Sequence, residues 1–245
     1  MDGLSLAQAQ DRVMAWGHKR ESRYVVLANV HVVTTAACDA GFGPLVAEAD
    51  MATPDGAPVA WMLRRVGYPN QKRVSGPDLI WALLERCAAE GVSVYFFGSS
   101  PETLVLLAER IKRAFPTLKV AGLESPPFRP ANEQEDADSV ERINASGAGL
   151  VFVGLGCPKQ ELWMFGHRGR VKAVMLGVGA AFDFHAGTVS RAPLWMREHG
   201  LEWLHRLASE PQRLWKRYLA TNTLFLLLAG KQLISRALHS SKDDR

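Results

Sequence analysis

Short apolar runs alternate with longer amphipathic segments along most of this chain, and that alternation constrains the fold more than any other feature. The runs are β-branched or largely apolar, which is typical of strands buried on both faces of a sheet. Strands are predicted at 24–28, 50–53, 92–97, 118–121, 150–153 and 173–176. Strands that alternate with helices predict an α/β fold, with a Rossmann-like parallel sheet flanked by helices and joined by right-handed crossovers.

Helical patterns fill the intervals between these strands. They are predicted at 34–50 (with a break near 41–44), 57–66, 77–90, 101–114, 133–145 and 158–165. Ser100 and Pro101 suit the cap and first position of one helix, and Ser75 and Asp78 form a predicted capping box at another. The segment 124–132 contains three prolines and predicts an exposed loop that could lie over a site.

The positive charge of the chain lies in its tail. Residues 1–196 contain 20 basic and 20 acidic residues, whereas residues 197–245 contain nine and five, which accounts for the whole net charge of +4. Two helices are predicted there, one over 200–209 and one from Pro211 onward. We therefore expect an α/β catalytic domain over 1–196 and a helical, basic C-terminal appendage over 197–245.

The second tail helix has an interfacial pattern. Arg213, Lys216 and Arg217 are spaced i, i+3 and i+4, so they share a helix face, and an apolar strip lies beside them. A spanning helix needs about 20 mostly apolar residues, which no segment provides. The pattern predicts reversible docking of the tail on an anionic surface, although an ordinary packed helix with a wet basic side remains an alternative.

Other sequence features exclude several classes of function. The three cysteines have no metal or redox spacing, which favours free thiols in a reducing cytoplasm, and the first residues lack the apolar core of a signal peptide. Asp136 and Asp138 resemble a two-carboxylate metal motif. They lie on a predicted helix, where residues two apart do not face each other. We therefore expect no metal site.

The segment 52–56, Ala-Thr-Pro-Asp-Gly, places a carboxylate in a tight turn between a strand and a helix. Pro54 restricts the backbone and Gly56 permits a sharp exit, so Asp55 lies at the end of the strand. Its side chain could point into a ligand cleft or cap the following helix. The pentapeptide alone does not decide between these roles.

Three junctions between a strand and a helix predict a ligand cleft at the carboxyl end of the sheet. They begin at Gly98, Gly154 and Gly177. Glycine permits close backbone approach to a ligand, and free N–H groups at a helix start attract phosphate. Neither glycine pair completes the dinucleotide fingerprint, because its third small position is Lys159 or Phe182. Hydride transfer to a nicotinamide is therefore disfavoured.

Several separated segments, from about Asn29 to Tyr218, resemble the WecG/TagA/CpsF family of bacterial glycosyltransferases. The matching segments are 53–79, 153–161, 177–183, 191–193 and 202–218. The resemblance implies an inverting transfer of N-acetylmannosamine, its uronic acid or glucose from a UDP-sugar, without metal or cofactor. The implied acceptor is an undecaprenyl-diphosphate-linked sugar of surface polysaccharide, teichoic acid or exopolysaccharide synthesis. The enzyme would then be cytoplasmic and peripheral on the inner face of the anionic cytoplasmic membrane.

The resemblance also implies roles for individual residues, with Asp55 as the catalytic base. Donor-binding residues are expected at Asn29, Thr53, Arg73, Gly98, Ser99, Gly154, Gly156, Pro158, Lys159, Gln160, Glu161, Gly179 and Asp183. Residues expected to bind the acceptor diphosphate or the membrane are Arg191, Arg206, Arg213, Lys216 and Arg217. The family often has Thr where this chain has Leu27, so one polar contact is missing. His185 could contact substrate or make a structural hydrogen bond.

The alternative is a non-catalytic protein that binds an anionic membrane or nucleic acid through its tail. Nucleic-acid binding predicts positive charge over the body as well, yet residues 1–196 are balanced. The turn at Asp55 and the three junctions would also have no use in such a protein. We therefore favour the glycosyltransferase and expect no nucleic-acid partner. The sequence permits a homo-oligomer without specifying one.

Overall fold

Six strands form a single, entirely parallel sheet. The structure, a computed structural model, describes residues 1–243 and the side chains of 1–236 and 238. The strands are β1 (Arg23–Ala28), β2 (Met51–Pro54), β3 (Val94–Gly98), β4 (Val120–Glu124), β5 (Leu150–Gly154) and β6 (Val174–Gly177). Their order across the sheet is β2-β1-β6-β5-β3-β4. The predicted Rossmann-like α/β fold is confirmed.

Helices connect the strands and continue into the tail. Those of the body are α1 (Leu6–His18), α2 (Val30–Cys38), α3 (Phe42–Ala47), α4 (Ala57–Arg65), α5 (Gly76–Glu90), α6 (Pro101–Ala114), α7 (Glu133–Ala145), α8 (Lys159–His167) and α9 (Ala181–Ala186). Those of the tail are α10 (Leu194–Glu198), α11 (Glu202–Ser209) and α12 (Pro211–Asp243).

The sheet has a hydrophobic core on each face, because successive strand side chains point to opposite sides. On one face, Leu83 of α5 and Leu107 of α6 are fully buried with Phe96 and Phe152 of the sheet. On the other, helices α2, α3, α7 and α8 cover a second cluster that includes Tyr24. This three-layer packing explains why the central strands are continuous apolar runs.

The strand order brings the chain segments after five strands to one edge of the sheet. Ala28 pairs with Pro54, Val26 with Gly177, Val153 with Gly177, and Gly98 with Gly154. The segments after β2, β1, β6, β5 and β3 therefore lie side by side. This is the edge at which open parallel sheets bind ligands.

Some element boundaries differ from the sequence prediction. Helix α2 begins at Val30 rather than at residue 34, because the side chain of Asn29 accepts a hydrogen bond from Val32 N and caps it. Strand β4 covers Val120–Glu124 rather than 118–121. It is an edge strand with exposed Val120 and Leu123, so its sequence lacks the apolar run of a central strand.

The two predicted tail helices are present as α11 and α12, preceded by the short α10. The expected boundary after residue 196 falls inside α10. Helix α12 packs on the body through Phe225 and Ala229, which contact Val59 and Met62 of α4. Over residues 1–243, no helix has the length and apolarity needed to cross a membrane.

Candidate active site

Asp55 is the first residue after the buried strand β2. Its backbone N–H donates to Ala28 O at 3.1 Å, and the N–H of Val74 donates to Pro54 O at 2.8 Å, so the turn is held from two sides. Gly56 has a φ of +99°, a conformation that residues with a Cβ rarely adopt, and it directs the chain into α4. The half-buried Asp55 side chain therefore has a fixed origin at the carboxyl edge of the sheet.

The Asp55 carboxylate has an unusual electrostatic environment. Burial and the nearby Glu202 raise its pKa, Arg73 lowers it, and the net result is a pKa of about 7. Asp78 adds to the increase and Arg206 opposes it. Within the described residues the carboxylate makes no hydrogen bond and no ion pair. Such a group exchanges its proton near neutral pH, which suits a general base.

A cluster of alternating charges lies beside Asp55. Arg73 Nη1 is 2.6 Å from Glu202 Oε2, and Arg191 Nη2 is 2.7 Å from Asp78 Oδ1. Arg191 also reaches Glu202 at 3.3 Å, and Arg197 lies 3.8 Å from Asp78. These contacts join the start of α5 to α10 and α11 of the tail. The cluster therefore connects the body of the protein to its C-terminal appendage at the position of Asp55.

The predicted capping box at Ser75 is not formed. The Ser75 hydroxyl donates to Asp78 Oδ2 at 2.5 Å, so it does not accept the backbone N–H that a capping box requires. Burial alone would raise the pKa of Asp78, but this hydrogen bond and the contact with Arg191 hold it below its ordinary value. Asp78 is thus an ionised member of the charge cluster rather than a helix cap.

At the junction after β3, Ser100 caps α6 by accepting from Thr103 N, and Pro101 is its first residue, as predicted. Ser99 has a positive φ of 64°, and its carbonyl accepts from the hydroxyl of Ser125 at 2.7 Å. Part of the predicted loop 124–132 is therefore attached to this junction. Ser99 and the capped N-terminus of α6 lie at the carboxyl edge of the sheet.

At the junction after β5, the side chain of Gln160 connects two loops. Its Oε1 accepts from Gly156 N at 3.2 Å and from Gly179 N at 3.0 Å, and its Nε2 donates to Glu161 Oε1 at 2.8 Å. Glu161 is fully buried, and burial raises its pKa. Pro158 precedes α8, and Lys159 is exposed at its start. In this state Gln160 and Glu161 hold the junction together, and only Lys159 is free to reach outward.

The glycines of the junctions mainly allow loops to pack against each other. A Cβ on Gly98 would lie 2.6 Å from the carbonyl carbon of Gly154, and a Cβ on Gly154 would lie 2.6 Å from Phe182 Cδ2. Both would clash with the protein itself, so these glycines are needed for internal packing. A Cβ added at Gly156 would meet no atom within 4 Å, so this side of the junction is open.

Two further expected site residues lie on the neighbouring strand ends. Asp183 of α9 is half-buried; burial raises its pKa, while Arg206 and Arg213 of the tail lower it. Thr53 is fully buried, and its Oγ1 has no hydrogen-bond partner among the described residues. Thr53 pairs in register with Leu27 of β1, where the WecG/TagA/CpsF family often has Thr.

The tail arginines fall into an inner and an outer group. Arg197, Arg206 and Arg217 each have a buried Nε without a hydrogen-bond partner in the described part of the chain. Arg206 lies over the ring of Phe184, and Arg217 lies near enough to His31 and Cys157 to affect both pKa values. Arg213 and Lys216 are exposed instead. The inner group therefore has buried Nε atoms, whereas the outer pair is exposed, although Arg213 is near enough to Asp183 to lower its pKa.

Several polar residues have structural contacts away from the cleft. His185 Nε2 lies 2.9 Å from Pro77 O, and its ring stacks on Trp81. Of the two roles expected for His185, these contacts fit the structural hydrogen bond. Asp136 contacts His167 and Arg170. In the described residues, no three His, Cys, Asp or Glu side chains are placed to hold a metal ion. An apolar groove of about 310 Å³ between α2 and α12 does not include Asp55.

Sequence reasoning missed Glu202 and Arg197 as members of the site. Glu202 begins the resembling segment 202–218 but was assigned no role, and Arg197 was counted only in the charge of the tail. Arg197 lies in α10 and Glu202 is the first residue of α11, and a net positive tail gave no reason to expect one of its carboxylates beside Asp55.

Comparison with known proteins identifies a family and a relative that this chain resembles. The model of the family described as "Glycosyl transferase WecG/TagA/CpsF family" matches residues 1–239. A protein of Bacillus spizizenii (strain ATCC 23059 / NRRL B-14472 / W23) is 32% identical over 203 residues, covering 82% of this chain and 77% of the relative. That relative is named N-acetylglucosaminyldiphosphoundecaprenol N-acetyl-beta-D-mannosaminyltransferase.

Proposed function

The chain belongs to the WecG/TagA/CpsF family of glycosyltransferases, and from this premise we propose that it moves a sugar from UDP onto a polyprenyl-diphosphate-linked sugar. Among N-acetylmannosamine, its uronic acid and glucose, the name of the Bacillus relative favours N-acetylmannosamine as the donor sugar. The same name favours an undecaprenyl-diphosphate-linked N-acetylglucosamine as the acceptor.

The observation that carries this proposal is the state of Asp55. Its carboxylate is half-buried, makes no ion pair in the described structure, and has a pKa raised to about 7. We assign it the role of general base. It accepts the proton of the acceptor hydroxyl while that oxygen attacks the anomeric carbon of the donor. The bond from that carbon to UDP breaks on the opposite face, which inverts the configuration, and UDP leaves with the electron pair.

The donor would lie across the junctions of the sheet edge. The exposed space beside Gly156 suits a diphosphate, and Lys159 at the start of α8 supplies a cation near it. Arg73 supplies a guanidinium next to Asp55. Fixed cations of this kind stabilise the negative charge that develops on a leaving diphosphate. The proposal therefore assigns to arginine and lysine the charge neutralisation that other enzymes obtain from a divalent ion.

The tail would complete the site and bind the acceptor. The buried Nε atoms of Arg206 and Arg217 make no hydrogen bond in the described residues, although that of Arg206 is 3.7 Å from Glu210 Oε2. Both are donors that a lipid-linked diphosphate would satisfy. On the outside, Trp203, Trp215 and Leu219 are exposed between cations, a composition that suits the membrane interface. We propose that α11 and α12 dock on the anionic inner leaflet and present the acceptor to Asp55.

Product analysis tests this function. The protein is incubated with a panel of UDP-sugars and a polyprenyl-diphosphate-linked N-acetylglucosamine, and mass spectrometry follows UDP and the glycosylated lipid. We expect both products to appear together, with UDP-N-acetylmannosamine as the best donor. Failure of every donor in the panel to give UDP and an extended lipid would contradict the proposal.

A further inference from the structure

Arg73 lies close enough to Asp55 to act on its carboxylate, and Arg191 and Arg197 belong to the same charge cluster. Acidic residues other than Asp55 engage all three of these arginines. Arg73 is held by Glu202 at 2.6 Å and approaches Asp78 at 3.8 Å. Arg191 contacts the same two carboxylates at 3.3 and 2.7 Å, and Arg197 approaches Asp78 at 3.8 Å. Glu202 and Asp78 therefore engage the guanidinium groups of the cluster, including that of Arg73, which acts on the proposed base.

Such an arrangement matters because an ion pair weakens a base. A carboxylate next to an arginine has its pKa lowered by about one to three units, and it then accepts a proton less readily. Asp55 has no such partner in the described residues, although Arg73 is close enough to lower its pKa. The engagement of Arg73 by Glu202 explains how Asp55 stays unpaired beside this arginine.

We propose that Glu202 is a positioning residue, which holds Arg73 away from Asp55 and so preserves Asp55 as an effective base when the tail is docked. The proposal rests on the function assigned to Asp55 above. Glu202 belongs to α11, whereas Arg73 precedes α5, so the contact exists only when the tail lies against the body. Docking of the tail would then both cover the site and determine the strength of its base.

Four charged groups act on the pKa of Asp55, and docking of the tail brings two of them to it. Arg73 and Asp78 belong to the body, and Glu202 and Arg206 belong to the tail. Glu202 raises the pKa of Asp55 more than Arg206 lowers it, and its absence would also release Arg73. The net effect of the tail is therefore to make Asp55 more basic.

Titration of the free protein tests the proposal without any substrate. Aspartate labelled with ¹³C at its carboxyl carbon is followed by NMR against pH in the full chain, and the Asp55 signal is assigned by its loss in Asp55→Asn. The wild-type midpoint is expected near 7. Glu202→Gln should lower this midpoint by at least about one pH unit. Glu198→Gln removes the same charge from the exposed end of α10, outside the cluster, and should leave the midpoint unchanged.

A second variant gives a change of opposite sign. Arg73→Gln removes the cation nearest the base, so the Asp55 midpoint should rise above its wild-type value. A folded Glu202→Gln protein with an unmoved midpoint would overturn the proposal, as would a fall in Arg73→Gln. Because no sugar transfer is measured, a failure of the proposed function would show in the product assay and not in this titration.

Discussion

Arg73 and Glu202 are 129 residues apart in the chain, yet their side chains meet at 2.6 Å beside Asp55. This contact joins the segment before α5 to the tail helix α11, so the proposed catalytic base lies where body and appendage meet. A glycosyltransferase that needs its tail for a complete site would work efficiently only when that tail is docked, for example on the membrane that carries the acceptor.

The first prediction concerns the pH dependence of the reaction. Because the raised pKa of Asp55 is about 7, the carboxylate is protonated and unable to accept a proton below that value. The kcat/KM for sugar transfer should therefore rise between pH 5 and 7 and level off above about 8. Initial rates across this pH range, at fixed ionic strength, give the pH dependence of kcat/KM. A rate that is independent of pH from 5 to 8 would contradict the assignment.

The second prediction concerns stability. A carboxyl pKa raised above the ordinary value of 3.8 means that the folded state binds the proton more tightly than the unfolded state. Ionised Asp55 therefore destabilises the fold, increasingly as pH rises from about 4 to 7 and constantly above. Asp55→Asn should raise Tm relative to wild type by more at pH 8 than at pH 5. Equal changes at both pH values in thermal unfolding would show that the pKa is not raised.

The third prediction separates the two groups of tail cations. Replacing exposed Arg213 and Lys216 by Gln should weaken binding to anionic vesicles by roughly 30-fold, at about 1 kcal/mol per charge, with strong salt dependence. Replacing Arg206 and Arg217, whose Nε atoms are buried, should reduce sugar transfer with a smaller effect on vesicle binding. Vesicle co-sedimentation measures membrane binding and the transfer assay measures activity. Both double variants lose two positive charges, so each serves as the control for the other. Identical behaviour of the two pairs would contradict this division.

The fourth prediction concerns divalent ions. If arginine and lysine neutralise the leaving diphosphate, then EDTA should leave the rate of transfer unchanged. The matched comparison adds excess Mg²⁺ or Mn²⁺ to the same reaction. An absolute requirement for either ion would contradict the proposed chemistry and would direct attention to Asp136 and Asp138, although Asp136 contacts His167 and Arg170 in this structure.

Much of the fold could be predicted from sequence because burial on both faces leaves a strong local pattern. The four strands that pair on both sides are continuous apolar runs, whereas the edge strand β4 exposes Val120 and Leu123 and was displaced in the prediction. The β-branched run that begins at Val30 favours a strand by composition, yet the cap at Asn29 makes it helical.

The site could be predicted only in part. The turn at Asp55 is a local feature, visible as Thr-Pro-Asp-Gly, and its position at a strand end is confirmed. The role of Glu202 depends on how α11 lies against the segment before α5, which no local pattern encodes. For the same reason Gln160 was expected to face a ligand, whereas its side chain connects the backbones of Gly156 and Gly179.

The central claim, that Asp55 is the base of a sugar transfer, is tested most directly by the turnover of Asp55→Asn. Asparagine keeps the shape of the side chain but cannot accept the proton, and a positioned base typically contributes about 10²–10⁴-fold. Asp138→Asn, on the exposed surface of α7, is the control for the same chemical change. The account predicts that kcat of Asp55→Asn falls by that factor while UDP affinity and the control stay close to wild type. Turnover of Asp55→Asn near the wild-type rate would contradict it.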